Sequence, residues 1–136
     1  MRLGLGAVIG GLALASGLVG CSGVASERVD GLSLLRATGE QPGDEARIVG
    51  SVAVTDGGCV GIRDDEGVVR LVIWPRGTDL VGSLPAVLEI DGVGEISEGD
   101  AVDGAGGYHD NPEEFAQQLD QCAPDDLEVI RIRFSG

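Results

Sequence analysis

Cys59-Val60-Gly61-Ile62-Arg63-Asp64-Asp65-Glu66-Gly67-Val68-Val69-Arg70-Leu71-Val72-Ile73-Trp74-Pro75 is the stretch that decides the fold class. Cys59 to Arg63 makes a short strand, and Asp64 to Gly67 supplies turn residues. Val68 to Trp74 is rich in β-branched side chains, which suit a pleated, half-buried surface. Pro75 ends this second arm because it brings no N–H to a strand ladder. The whole reads as a β-hairpin. Along the second arm Val69, Leu71 and Ile73 share one face, and Val68, Arg70, Val72 and Trp74 share the other. If the aliphatic trio points inward, Arg70 and Trp74 face out, where an indole beside a guanidinium can stack on a sugar ring or a peptide. In the other placement Pro75 distorts the strand end and Trp74 caps the barrel. Trp74 and Arg70 are therefore the candidate ligand-binding residues.

Working outward, the same period-2 signal recurs. Ile48, Gly50, Val52 and Val54 alternate with Val49, Ser51 and Ala53, and Gly50 marks a bulge or sharp bend. Arg76 to Pro85 reads as a longer connection. Ala86–Ile90 and Val93–Ile96 flank Asp91-Gly92, a favoured tight hairpin turn. Ala101 to Asp103 leads into glycine bends at 104, 106 and 107. Asn111 as N-cap, Pro112 at the first helical position and Glu114 three residues on start a short helix. That helix carries Phe115, Leu119 and Cys122 on one face. Leu127 to Phe134 closes the chain as a strand. Val29 to Arg36 fits either a strand or a helical turn. The expected fold is mainly β: a small OB-like antiparallel β-barrel over residues 46–136 with one short α-helix.

A different rule governs the N-terminus. Arg2 precedes a run without charge to Val19, shorter than a stable span requires and weakened by interior glycines. It ends in Leu18-Val19-Gly20-Cys21, which resembles the lipobox of bacterial lipoprotein precursors. The resemblance implies a cleaved signal segment over residues 1–20, a diacylglyceryl thioether on Cys21, and a location on the extracytoplasmic face of the cell membrane. Two acyl chains hold stably where one does not. Residues 21–45 then read as the lipidated cysteine and a tether, of which Ser22 to Glu27 would reach about 20 Å when extended.

All nine basic residues are Arg, and the formal net charge is −14. Loss of Arg2 takes the mature chain to about −15. Such acidity opposes nucleic acid, whose affinity comes largely from phosphate neutralisation, and it disfavours docking on an anionic leaflet. It also keeps a domain soluble. With Cys21 assigned to lipid, Cys59 and Cys122 form an even pair in an oxidising compartment and are expected as a disulfide. Closing a loop of roughly 64 residues would stabilise by about 4 kcal/mol on the chain-entropy model. Two free buried thiols are the alternative.

Gly58-Cys59, Trp74-Pro75, Gly77-Thr78, Gly99-Asp100, Val102, Gly104 and Gly106-Gly107-Tyr108 together resemble a group of lipoproteins from high-GC Gram-positive bacteria. The resemblance spans roughly residues 46–122. It implies an OB-like barrel and an envelope location, without a defined activity.

Catalytic chemistry has little to build on. His109 is the single histidine, and no Gly-x-Ser-x-Gly elbow accompanies it with Ser83 or Ser97. Asp64-Asp65-Glu66, Asp100 with Asp103, and Asp125-Asp126 are oxygen-rich but lack EF-hand spacing. No catalytic residue, metal or cofactor is expected. The function expected is a non-enzymatic binding or accessory module with a protein or carbohydrate partner. An envelope enzyme of another type, or an oligosaccharide-binding domain, is the alternative.

Overall fold

The computed structural model describes residues 23–40, 45–110 and 113–134. The signal segment, the lipobox with Cys21, and the Asn111-Pro112 helix start lie outside the described residues. In chain order the elements are β1 (Val24–Val29), β2 (Leu32–Ala37), β3 (Ala46–Val54), β4 (Val60–Arg63), β5 (Val69–Trp74), β6 (Thr78–Ser83), β7 (Ala86–Ile90), β8 (Gly94–Ser97), β9 (Ala101–Asp110), α1 (Ala116–Cys122) and β10 (Glu128–Arg133). A 3-10 turn, Glu113–Phe115, leads into α1.

Strands β3, β4, β5, β10 and β9 bond in that order, and β9 returns to β3. The result is a closed five-stranded, OB-like β-barrel. Closure leaves these strands no free edge. The expected antiparallel pairing holds for four of its joints but not for the fifth, because β10 runs parallel to β5, with Ile130 opposite Val72 and Arg131 opposite Ile73. Parallel neighbours need a long crossover. Everything from β6 to α1 supplies it.

Two glycines show how tightly the barrel is coiled. A Cβ at Gly50 would strike the Arg63 carbonyl and the Ile62 side chain. One at Gly106 would fall on the Arg131 carbonyl oxygen. The glycine-rich tract after Asp103 lies within a barrel strand, as its reading as strand bends implies. It belongs to one continuous strand, β9, whose bare positions let β10 approach.

Residues 24–37 correct the tether reading. They form a β1–β2 hairpin, and β2 extends the sheet by pairing parallel to β5, with Leu35 opposite Ile73. Leu34, Leu35 and Ala37 are buried. The Arg76–Pro85 connection also contains a strand, β6, which joins β7 and β8 in a separate three-stranded sheet. Thr78 and Leu80 are buried there while Asp79 and Val81 are exposed.

Burial divides into two layers. Ile48, Val52, Ile62, Val72, Trp74 and Ile132 fill the barrel, with Leu88 and Ile90 of β7 packed against them. A second layer lies outside β5 and β10, where Leu71, Ile73 and Val129 meet Leu35 of β2 and Phe115, Leu119 and Cys122 of the helix. Phe115, Leu119 and Cys122 share one face as their spacing predicts. Cys122 is bonded to Cys59 with Cα atoms 5.3 Å apart, so the expected pairing is formed. Gly57 N–H also donates to the Cys122 carbonyl at 2.9 Å, which ties the β3–β4 loop to the helix end.

Candidate functional site

The two candidate ligand-binding residues, Trp74 and Arg70, part company. Trp74 is fully buried in the barrel, and its Nε1–H donates to the Val60 carbonyl at 3.1 Å. The outward reading of Trp74 is thus overturned. Val72 and Trp74 face the interior, and Leu71 and Ile73 face the outer layer beneath α1. Alternation along β5 had no polar face to orient it, because both of its faces are covered.

Arg70 shares the face of Val72 and Trp74, so it too does not lie on the outward face; at the start of β5 it sits at the mouth of the barrel and reaches a set of carboxylates. Its Nη1 meets Asp64 Oδ2 at 2.5 Å, its Nε lies 3.2 Å from Glu128 Oε1, and its Nη2 lies 3.7 Å from Asp126 Oδ2. The side chain is only 17% exposed. Burial disfavours the guanidinium charge, but Asp64, then Asp126 and Glu128, outweigh it and raise the Arg70 pKa. Burial likewise pushes the Asp64 carboxyl up. The Val68 N–H, Arg70 and the Glu66 N–H overcome that and hold it below its ordinary value. Glu128 moves the other way: burial and the neighbouring Asp110 carboxyl raise it, against the pull of Arg70.

Several acidic residues turn out to be backbone caps. Asp64 Oδ1 accepts from Glu66 N–H and Val68 N–H at 2.9 and 3.0 Å, Asp100 Oδ2 from Ser97 N–H at 2.8 Å, and Asp126 Oδ1 from Glu128 N–H at 2.9 Å. Asp125 Oδ2 accepts from Val69 N–H at 2.9 Å. Carboxylates so engaged fix turns. No group of three potential metal ligands comes together among the described residues. His109 sits on β9 opposite Val129, whereas Ser83 and Ser97 belong to the separate β6–β7–β8 sheet.

Beside the Arg70 cluster lies a groove of about 720 Å³, a size that suits a small ligand. Arg47 and Ser51 of β3, Arg63 of β4, Asp64, Arg70 and Tyr108 of β9 line it. Tyr108 is 44% exposed. Arg47 is held in a fork by Asp103, with Nε–Oδ1 and Nη2–Oδ2 distances of 3.2 and 2.8 Å. This pairing raises the Arg47 pKa and lowers that of Asp103. Arg63 is exposed and forms no ion pair among the described residues. The groove therefore offers an aromatic face, one uncommitted guanidinium, a hydroxyl and fixed carboxylates. Its residues come from five strands, so no contiguous motif announces it.

The fold defines an OB-like β-barrel protein with a mixed polar and aromatic surface groove. No protein-family model matches the chain, and no curated protein or solved structure matches it significantly.

Proposed function

We propose that this chain is a lipid-anchored, extracytoplasmic binding module whose groove takes a carbohydrate. The observation that carries the reading is the exposed Tyr108 ring in a groove that also holds Arg63, Ser51 and Asp64. A sugar has hydroxyls that both donate and accept and C–H faces that stack on an aromatic ring. A site with guanidinium donors, carboxylate acceptors and a tyrosine matches both properties. The net charge of −14 argues against nucleic acid, since the groove's own cations are mostly committed to carboxylates. The module is non-enzymatic in this reading. Its anchor is the diacylglyceryl group expected on Cys21.

Two measurements test it. Intact-mass spectrometry of membrane-extracted protein should give a chain beginning at Cys21 with a diacylglyceryl mass added; a soluble product cut elsewhere rejects the anchor. A glycan array followed by calorimetry should identify an oligosaccharide whose affinity falls about tenfold on Tyr108→Ala, with thermal stability unchanged. An array on which the folded protein retains nothing rejects the carbohydrate reading. A protein partner then becomes the second case, tested by cross-linking from position 108.

A further inference from the structure

Between the β1–β2 hairpin and α1 lies a second groove, of about 460 Å³, which shares no residue with the Tyr108 groove. Ser26 and Arg28 of β1 and Ser33 of β2 edge one side, and Gln117, Gln118 and Gln121 of α1 edge the other. Leu35 and the Cys59–Cys122 bond, all buried, form its floor. Residues 57–59 clamp the two sides together. Ser33 N–H donates to the Gly58 carbonyl at 2.8 Å, Gly57 N–H donates to the Cys122 carbonyl at 2.9 Å, and the disulfide joins loop to helix. The groove is therefore formed ahead of any ligand, which lowers the cost of binding.

No carboxylate lines it, in a chain with 23 Asp and Glu and a net charge of −14. The acidic residues nearest in sequence are engaged elsewhere. Glu27 alternates away from Ser26 and Arg28 and is bound by Arg36 and the Leu80 N–H. Asp30 accepts from Ser83, and Glu114 pairs with Arg131. Asp120 lines a separate depression with Ala116 on another side of α1. Asp56 and Glu113 are exposed and stand outside the lining. The charge in the lining is that of Arg28, which forms no ion pair among the described residues and only touches Ser33 Oγ at 3.4 Å. Net charge is screened beyond about 8–10 Å in physiological salt, so this local cation decides what enters. Gln118 makes a second demand. Its Oε1 is buried and has no donor among the described residues, a state that a ligand N–H relieves. Rotation of the terminal amide, a soft torsion, turns that oxygen to the groove.

We infer that this groove binds a short peptide by its free C-terminus, with the carboxylate on Arg28, the last amide N–H on Gln118 and the terminal side chain over Leu35. The three demands select the class. Sulfate brings no donor, a sugar acid brings no apolar side chain, and a peptide amidated at its end brings no charge. A cavity of this volume suits a ligand of two or three residues. The inference is independent of the carbohydrate reading of the Tyr108 groove.

The test is calorimetry on the full chain with N-acetyl-alanyl dipeptides covering all twenty C-terminal residues, each as the free acid and as the amide. An acid with an apolar last residue should bind at least about tenfold more tightly than its amide. Arg28→Gln should abolish that difference and leave the thermal midpoint unchanged. Amide resonances of Arg28 and Gln118 should shift on binding, and that of Tyr108 should not. The inference is overturned if no acid binds more tightly than about 1 mM, if acid and amide bind alike, or if the shifts centre on Tyr108. Glucuronate binding as tightly as the best dipeptide also overturns it and reassigns the groove to sugar acids. Should Arg28→Gln lower the midpoint, Arg28→Lys keeps the charge without the fork and must still weaken the acid more than the amide.

Discussion

The two faces of β5 belong to two layers that hold together by different means. Inside the barrel, Val72 and Trp74 are enclosed by a ring of strands that is hydrogen-bonded all the way round. Outside, Leu71 and Ile73 are covered by a helix of seven residues with no side-chain cap at its start. A helix that short is not stable alone in water. Its attachment depends on Phe115, Leu119 and the Cys59–Cys122 bond, itself buried within the layer. A closed ring confines its core by topology; an open face needs a covalent fastening to the same end.

The largest expected effect lies inside. Trp74→Ala should cost about 3–5 kcal/mol, since it removes the bulkiest fully buried side chain and leaves a cavity and the Val60 carbonyl without its donor. Urea denaturation measures the loss, and the parent's tryptophan emission should be blue-shifted. A loss below about 1 kcal/mol would mean that the barrel interior can collapse, and the two layers would then not differ in kind.

The outer layer should respond less, and locally. Replacing both Cys59 and Cys122 by Ala should cost about 2–4 kcal/mol. Amide exchange in α1 and the β3–β4 loop should accelerate well before exchange in β3 and β9. If helix and barrel amides lose protection together, the two layers form one cooperative unit and do not differ in how they are held.

What the sequence disclosed follows the same division. The β4–β5 and β7–β8 hairpins, the final strand, the helix face and the cysteine pair were legible because each is set by local turn chemistry or by counting. The orientation of β5 was not. Alternation identifies an inward face only when the other face is wet, and here Trp74 and Leu71 are both buried. The β1–β2 hairpin had a readable sign in Asp30-Gly31, both with positive φ (48° and 88°), the pairing that a two-residue hairpin turn requires. The parallel β5–β10 joint and the groove are long-range outcomes: Arg63 and Tyr108 meet only because the barrel closes.

The smallest expected effect concerns the polar mouth of the barrel, where β5 and β10 begin. Asp64 has a folded pKa below its unfolded value near 3.9. Its contribution is thus present above that value and lost as pH falls through the folded pKa. Glu128 has a raised pKa, so its sign is opposite: its contribution is present at low pH and lost as pH rises through the folded value. Asp64→Asn should therefore destabilise by about 1 kcal/mol at pH 7, and the difference from the parent should shrink as pH falls through the lowered Asp64 pKa. Glu128→Gln should cost less at pH 7, because neutralising Glu128 relieves its burial and its crowding by Asp110 even as it weakens the contact with Arg70. Denaturation midpoints between pH 3 and pH 7 separate the two variants. Equal losses at pH 7 would show that Arg70 draws on both carboxylates alike. The unequal result would identify Asp64, which also caps Glu66 and Val68, as the group that fastens the mouth of the barrel.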